Sequence, residues 1–149
     1  MTDRATETIV VKAPIEKCWE VATDFARYPE WAPAVKGADI EARDAQGRPV
    51  RVHYRAASFG RSVTYTLDYD YSDAPARLAW KQSSGDLTSR IDGVYEFEAL
   101  GPNTEVVYHL AVDLKLPVPG FVKRRAEGLI IHGALRDLKS RVESLALTS

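Results

Sequence analysis

The sequence predicts an α+β domain in which one long helix lies across the apolar face of an antiparallel sheet. Three observations carry this. Segments between Val35 and Leu114 alternate apolar and polar residues with period two, as strands with one wet face do. Turn residues such as Asp44-Ala-Gln-Gly47 and Gly101-Pro-Asn103 separate them at hairpin spacing. After Leu116-Pro-Val-Pro-Gly120 a run extends to Leu147 in which Ile131, Ala134, Leu135, Leu138, Val142 and Leu145 recur at threes and fours. A sheet with one apolar face needs a cover, and only this helix is long enough to supply it.

At 149 residues the chain reads as a single domain, 1–149, able to bury a core. Hydrophobic residues make up 45% and charged residues 28%, an ordinary globular balance, and a net charge of −1 argues against nucleic-acid binding. One cysteine, Cys18, excludes an internal disulfide and reads as an inert core thiol. The opening residues lack an apolar targeting segment and no run approaches the length of a membrane span, so the expected location is the cytoplasm.

In chain order, the β-branched run within Thr6–Lys12 predicts a first strand ending at Ala13-Pro14. Pro14 opens a helix over Ile15–Ala22, with Ile15, Cys18, Trp19 and Ala22 on one face. Asp24 is placed to cap a short second helix, Phe25–Tyr28, which Pro29 should end. A loop through Trp31 leads to a strand at Val35–Arg43.

In the next two strands Val50, Val52, Tyr54 and Ala56 face inward, as do Val63, Tyr65, Leu67, Tyr69 and Tyr71. Joined at Phe59-Gly60, they should pair Tyr54 with Tyr65 and Val52 with Leu67, leaving Arg51 opposite Asp68 outside. Slipping the register by one residue would bury the charges. Strands at Ala76–Gln82, Leu87–Ala99 and Thr104–Leu114 follow, with Leu78, Trp80, Ile91, Tyr95, Phe97, Val106, Tyr108, Leu110 and Val112 inward. The long helix then starts with Pro119 at its first position.

This order resembles the START-like, helix-grip superfamily that includes the birch-pollen-allergen proteins. More narrowly, it is similar to the bacterial polyketide cyclase/dehydrase and lipid-transport branch, near the coenzyme-Q-binding proteins. The resemblance rests on Ala13-Pro14, Trp19 and Asp24, on Tyr28-Pro-Glu-Trp31 with Pro33, and on Gly93 before an aromatic strand. Thr104-Glu-Val106, Leu116-Pro117 and Leu138-Lys-Ser-Arg-Val-Glu143 complete it. It covers essentially the whole chain and implies a curved seven-stranded antiparallel sheet with two short N-terminal helices. The long C-terminal helix would lie over an apolar cavity for a lipid, quinone, sterol-like molecule or polyketide. It implies no single activity, and no position here matches a family catalytic residue.

Six of the seven tyrosines fall on inward strand positions. A dry core favours leucine, because an unpaired buried hydroxyl costs about 1–3 kcal/mol. These hydroxyls therefore point to a wet or liganded cavity, against the plain alternative that aromatic residues simply suit strands. The candidate ligand-binding set is Trp31, Tyr54, Tyr65, Tyr69, Trp80, Tyr95, Phe97, Tyr108, Arg124 and Gly128. Arg51, His53 and Arg55 would look catalytic, but their parity puts them on the solvent face. His53, His109 and His132 have no metal-ligand spacing, so no metal and no cofactor is expected. Lys123, Arg124 and Arg125, in the first turn of the long helix, oppose its dipole. They could meet a membrane or an acyl carrier protein, or form a solvated run paired with Glu127.

Projected along a straight helix, the stripe of Ile131, Leu135, Leu138 and Val142 reaches Arg124, Glu127 and Gly128, turning Arg124 and Glu127 to the cavity and leaving Val122, Ala126, Leu129, Ile130 and Gly133 on the opposite side. A bend near Gly128 would reverse this; the straight or slightly bent form is the expectation. The preferred function is non-enzymatic binding or carriage of a hydrophobic small molecule. The alternatives are an aromatic polyketide cyclase or dehydratase in the same cavity, a quinone chaperone, and a scaffold acting through a protein interface. A homodimer is left open.

Overall fold

A computed structural model describes residues 4–58 and 60–148. Seven strands, β1 (Ala5–Val11), β2 (Val35–Arg43), β3 (Pro49–Ser58), β4 (Arg61–Asp70), β5 (Arg77–Gly85), β6 (Thr88–Leu100) and β7 (Asn103–Leu114), form one antiparallel sheet. Their order is β1-β7-β6-β5-β4-β3-β2, so hairpin neighbours pair throughout and β1 closes the far side of β7. The β3–β4 register is the expected one, with Tyr54 opposite Tyr65, Val52 opposite Leu67 and Arg51 opposite Asp68. The Arg51 Nε donates to Asp68 Oδ1 at 2.7 Å on the outer face. Phe59, expected in the β3–β4 turn, lies outside the described residues.

Helix α1 (Ile15–Thr23) begins after Pro14, whose carbonyl accepts from the Lys17 and Cys18 amides. The next segment differs from expectation. A 3-10 turn at Phe25–Arg27 runs into a one-turn helix, α2 (Tyr28–Trp31), so Pro29 sits in the first turn of a helix rather than ending one. Proline is tolerated there because a first-turn N–H has no partner anyway. Asp24 does not cap with its side chain; it pairs with Arg27 Nε at 3.3 Å.

Helix α3 (Gly120–Thr148) is one unbroken element. It starts one residue later than expected, and Pro119 precedes it, its carbonyl accepting from the Val122 and Lys123 amides. Ile131, Leu135, Leu138 and Val142 are each 0–1% exposed and form the helix's share of the core. The C-terminal half is also tied to the outer edge of β1. Lys139 Nζ donates to the Val10 carbonyl at 2.9 Å, and the Lys12 amide donates to Glu143 Oε2 at 2.8 Å. At the opposite edge, β2 pairs with β3 irregularly, with register shifts between Val35 and Gly37 and again around Ala42. No helix among the described residues is long and apolar enough to cross a membrane.

Candidate functional site

A cavity of about 390 Å³ lies between the inner face of β3–β7, α2 and the side of α3. Eight of its 24 lining residues are aromatic, and most of the others are aliphatic. Tyr54, Tyr65, Tyr69, Trp80, Tyr95 and Tyr108 come from the strands, Tyr28 and Trp31 from α2. The rings form a connected lining, with centroids 4.6 Å apart for Tyr95–Tyr108, 5.2 Å for Trp80–Tyr95 and 5.4 Å for Tyr54–Tyr65. Trp80 reaches the cavity floor because residue 93, opposite it on β6, is glycine. A Cβ there would collide with the Trp80 indole at Cε2.

The hydroxyls divide into two groups. Tyr28 Oη donates to the Ala22 carbonyl, and Tyr71, outside the cavity, donates to the Pro49 carbonyl at 2.5 Å. Tyr54 and Tyr69 share one hydrogen bond at 2.6 Å, which leaves one O–H proton of the pair uncommitted. The hydroxyls of Tyr65, Tyr95 and Tyr108 make no hydrogen bond among the described residues, and none of them is sealed away from the cavity. Burial pushes the Tyr65 phenol up to about 12 and raises Tyr54, Tyr69, Tyr95 and Tyr108 further above the usual tyrosine range. They are therefore neutral donors at any ordinary pH, not bases.

One carboxyl shares the wall. Asp137, on α3, lines the cavity and makes no hydrogen bond or ion pair among the described residues. Burial raises its proton affinity above the usual carboxylate range, partly offset by Arg136, and its charge is felt at Tyr95. The sequence reading missed both Asp137 and Tyr28. The signal for Asp137 was an apolar and small-residue stripe, Leu129, Ile130, Gly133 and Ala134, running along α3 beside the core stripe and ending at this acid.

Of the ten expected ligand residues, Trp31, Tyr54, Tyr65, Tyr69, Trp80, Tyr95 and Tyr108 line the cavity. Phe97 does not. It lies two residues along β6 from Tyr95, beneath α1, with its ring centroid 6.1 Å from Trp19. Arg124 is exposed rather than inward, its guanidinium folded back to 3.4 Å from where a Gly120 Cβ would stand. Gly128 is not in the wall; Gly133 is the glycine that lines it.

The straight-helix projection holds only in part: Leu129, Ile130 and Gly133, which it turns to the opposite side, line the cavity, and Glu127, which it turns inward, does not. Phe121, Val122 and Leu129 are 69%, 41% and 67% exposed, while Glu127 is buried. Glu127 Oε2 accepts from the Val112 amide at 2.6 Å and from Lys123 Nζ at 2.8 Å, whereas its Oε1 has no partner among the described residues. Only Lys123 of the three cations lies in the first turn, since the helix begins at Gly120. Arg124 and Arg125 sit beyond the reach of most of the dipole penalty.

The outward cluster stays outward. His53 bonds Thr66 Oγ1 at 2.9 Å across the solvent-side face. His109 contacts Thr6 and Glu96, and exposed His132 lies 3.2 Å from Glu7. Carboxylates thus do reach His109 and His132, from other strands rather than from a nearby sequence offset.

A family model described as polyketide cyclase/dehydrase and lipid transport matches residues 2–143. A solved START superfamily protein from Mycobacterium smegmatis is 29% identical, with a TM-score of 0.91 over 95% of this chain and 98% of that one. A protein from Thermus thermophilus is 23% identical, with a TM-score of 0.82 over 99% of this chain and 100% of its own. The Zhui aromatase/cyclase from a Streptomyces species shares the fold at 16% identity, with a TM-score of 0.78 over 95% of this chain and 93% of that one. No curated protein matches the chain in sequence.

Proposed function

We propose that this chain, which belongs to the polyketide cyclase/dehydrase and lipid-transport family, binds a planar, polycyclic, oxygen-bearing small molecule of polyketide or quinone type. The observation that carries this reading is the wall itself. Its aromatic rings suit the faces of a flat ring system. Three hydroxyls without partners among the described residues, joined by the spare proton of the Tyr54–Tyr69 pair, supply donors for carbonyl or hydroxyl oxygens placed around its rim. An acyl chain would use the apolar surface but leave most of these donors unpaired, at about 1–3 kcal/mol each once water is displaced. A cavity of about 390 Å³ falls within the usual range for small-molecule sites.

Fluorescence titration tests the reading, since Trp31 and Trp80 both line the cavity. A polyhydroxylated anthraquinone should quench them saturably, and a saturated fourteen-carbon (~C14) fatty acid should bind at least tenfold more weakly, as expected for two unmatched donors. Equal binding of both probes would refute the polycyclic reading in favour of a general lipid site.

A second reading, catalysis on the bound molecule, is favoured by Asp137. A carboxyl with raised proton affinity in an apolar wall can take a proton from carbon beside a carbonyl or return one to oxygen. Neutral tyrosines nearby would stabilise the enolate oxygen so formed. Asp137→Asn separates the readings. If the protein is a cyclase or dehydratase, turnover of a poly-β-keto substrate falls by about 100-fold or more while binding persists. Turnover unaffected by this substitution removes Asp137 from the chemistry.

A further inference from the structure

We propose that the segment from Lys115 to Leu129 docks on an anionic lipid surface, placing the Leu129 end of the cavity wall against it. Five of the nine large apolar side chains exposed among the described residues fall here: Leu116, Val118, Phe121, Val122 and Leu129. On α3, Val122 and Leu129 are seven residues apart and share a face, with Arg125 between them and Phe121 and Arg124 alongside. Lys115, Arg124 and Arg125 are all exposed.

The only acid in this stretch, Glu127, is turned inward against Val112 and Lys123, so the stretch itself is apolar and positive; the flanking acid Asp113, 41% exposed, lies 3.8 Å from Lys123. That is the pattern of an interfacial helix, with apolar side chains entering the headgroup boundary and cations meeting anionic headgroups. Leu129 links the patch to the site, being both exposed and part of the cavity wall. An apolar molecule could pass between bilayer and cavity there without crossing open water. The direction of that passage rests on the proposed ligand reading; the docking itself does not.

Flotation of the full chain, without added ligand, on vesicles of phosphatidylcholine alone or with about 30% phosphatidylglycerol tests this. Binding should favour the anionic vesicles and weaken as salt is raised to about 0.5 M. Arg124→Ala with Arg125→Ala should weaken it about 25-fold, or about fivefold per cation. Phe121→Ser with Val122→Ser should abolish it while anthraquinone titration and thermal unfolding stay unchanged, since neither residue lines the cavity. Tyr108→Phe should leave vesicle binding intact, so loss of ligand binding and loss of docking are separately visible. Equal binding to both vesicle types, no binding to either, or binding that survives both double substitutions overturns the proposal. So does concentration-dependent dimerisation abolished by Phe121→Ser with Val122→Ser, which would assign the patch to a second copy.

Discussion

Replacing Tyr108 by Phe and, separately, Tyr71 by Phe should give opposite results although both rings are about equally buried. Tyr108 is 7% exposed and its hydroxyl has no partner among the described residues, so folding gains nothing from that hydroxyl. Removing it should leave the unfolding free energy within about 0.5 kcal/mol of the parent, or raise it slightly. A bound anthraquinone would lose one donor worth about 0.5–1.5 kcal/mol, a two- to thirteenfold weaker Kd. Tyr71 is also 7% exposed, but its hydroxyl holds the Pro49 carbonyl at 2.5 Å. Its loss should cost about 1–3 kcal/mol, or roughly 2–10 °C in Tm at this chain length, and should not touch Kd. Calorimetry and tryptophan titration on the two variants read both quantities. If Tyr108→Phe lowers Tm as much as Tyr71→Phe and leaves Kd unchanged, the division between structural and ligand-facing hydroxyls is wrong. Tyr95→Phe should behave like Tyr108→Phe, but the double variant need not be additive because the rings are 4.6 Å apart.

Gly93→Ala should drive Trp80 off the cavity floor, destabilising the fold by about 1–3 kcal/mol and shifting tryptophan emission; unchanged emission would contradict the contact. Gly133→Leu faces the opposite situation. A Cβ there meets nothing within 4 Å, so filling the wall should stabilise the helix by up to about 1 kcal/mol while excluding the anthraquinone. Retained binding would move the ligand elsewhere. Glu127→Ala removes the carboxylate nearest the Lys123 ammonium and strands the Val112 amide, and urea unfolding should show a loss of about 3–5 kcal/mol; a loss under about 1 kcal/mol would show that the pair is solvated. For Glu143, burial works to raise the carboxyl, but Lys139 and the Lys12 amide outweigh it and hold it below the usual range. Its contribution is therefore present above the unfolded carboxylate pKa and lost as pH falls through the lower folded value. Glu143→Gln should destabilise at pH 7 and converge with the parent in acid; a constant difference across pH would exclude this linkage.

Alternation makes the sheet readable in advance. Pairing Arg51 with Asp68 on the outer face sets Tyr54 opposite Tyr65, and that register places the β3 and β4 tyrosines of the wall. The helix is harder. The core stripe of Ile131, Leu135, Leu138 and Val142 is visible as periodicity, but a cavity is lined by whichever flank the helix leaves uncovered. That depends on where the helix lies over the sheet. Extending the core stripe backward therefore selects Arg124 and Gly128, while the neighbouring flank with Gly133 and Asp137 lines the cavity. Phe97 departs from expectation for a related reason. Inward parity puts a residue on the covered face of the sheet without saying whether α1 or empty space stands above it. Pro29 is ambiguous in sequence because proline ends a helix behind it and is equally at home in the first turn of one ahead.

The ties between α3 and β1 bear on how this sheet avoids growing. An outermost strand offers unpaired backbone groups to any second chain that arrives extended, the first step toward fibrous aggregates. Here the Val10 carbonyl and the Lys12 amide are already taken by the side chains of Lys139 and Glu143. On the far side, the irregular pairing of β2 spoils the regular ladder that an incoming strand would need to copy. The same helix that roofs the cavity thus blunts one border of the sheet. Mutations that loosen its last turns should show first as aggregation on mild heating, before any change at the cavity.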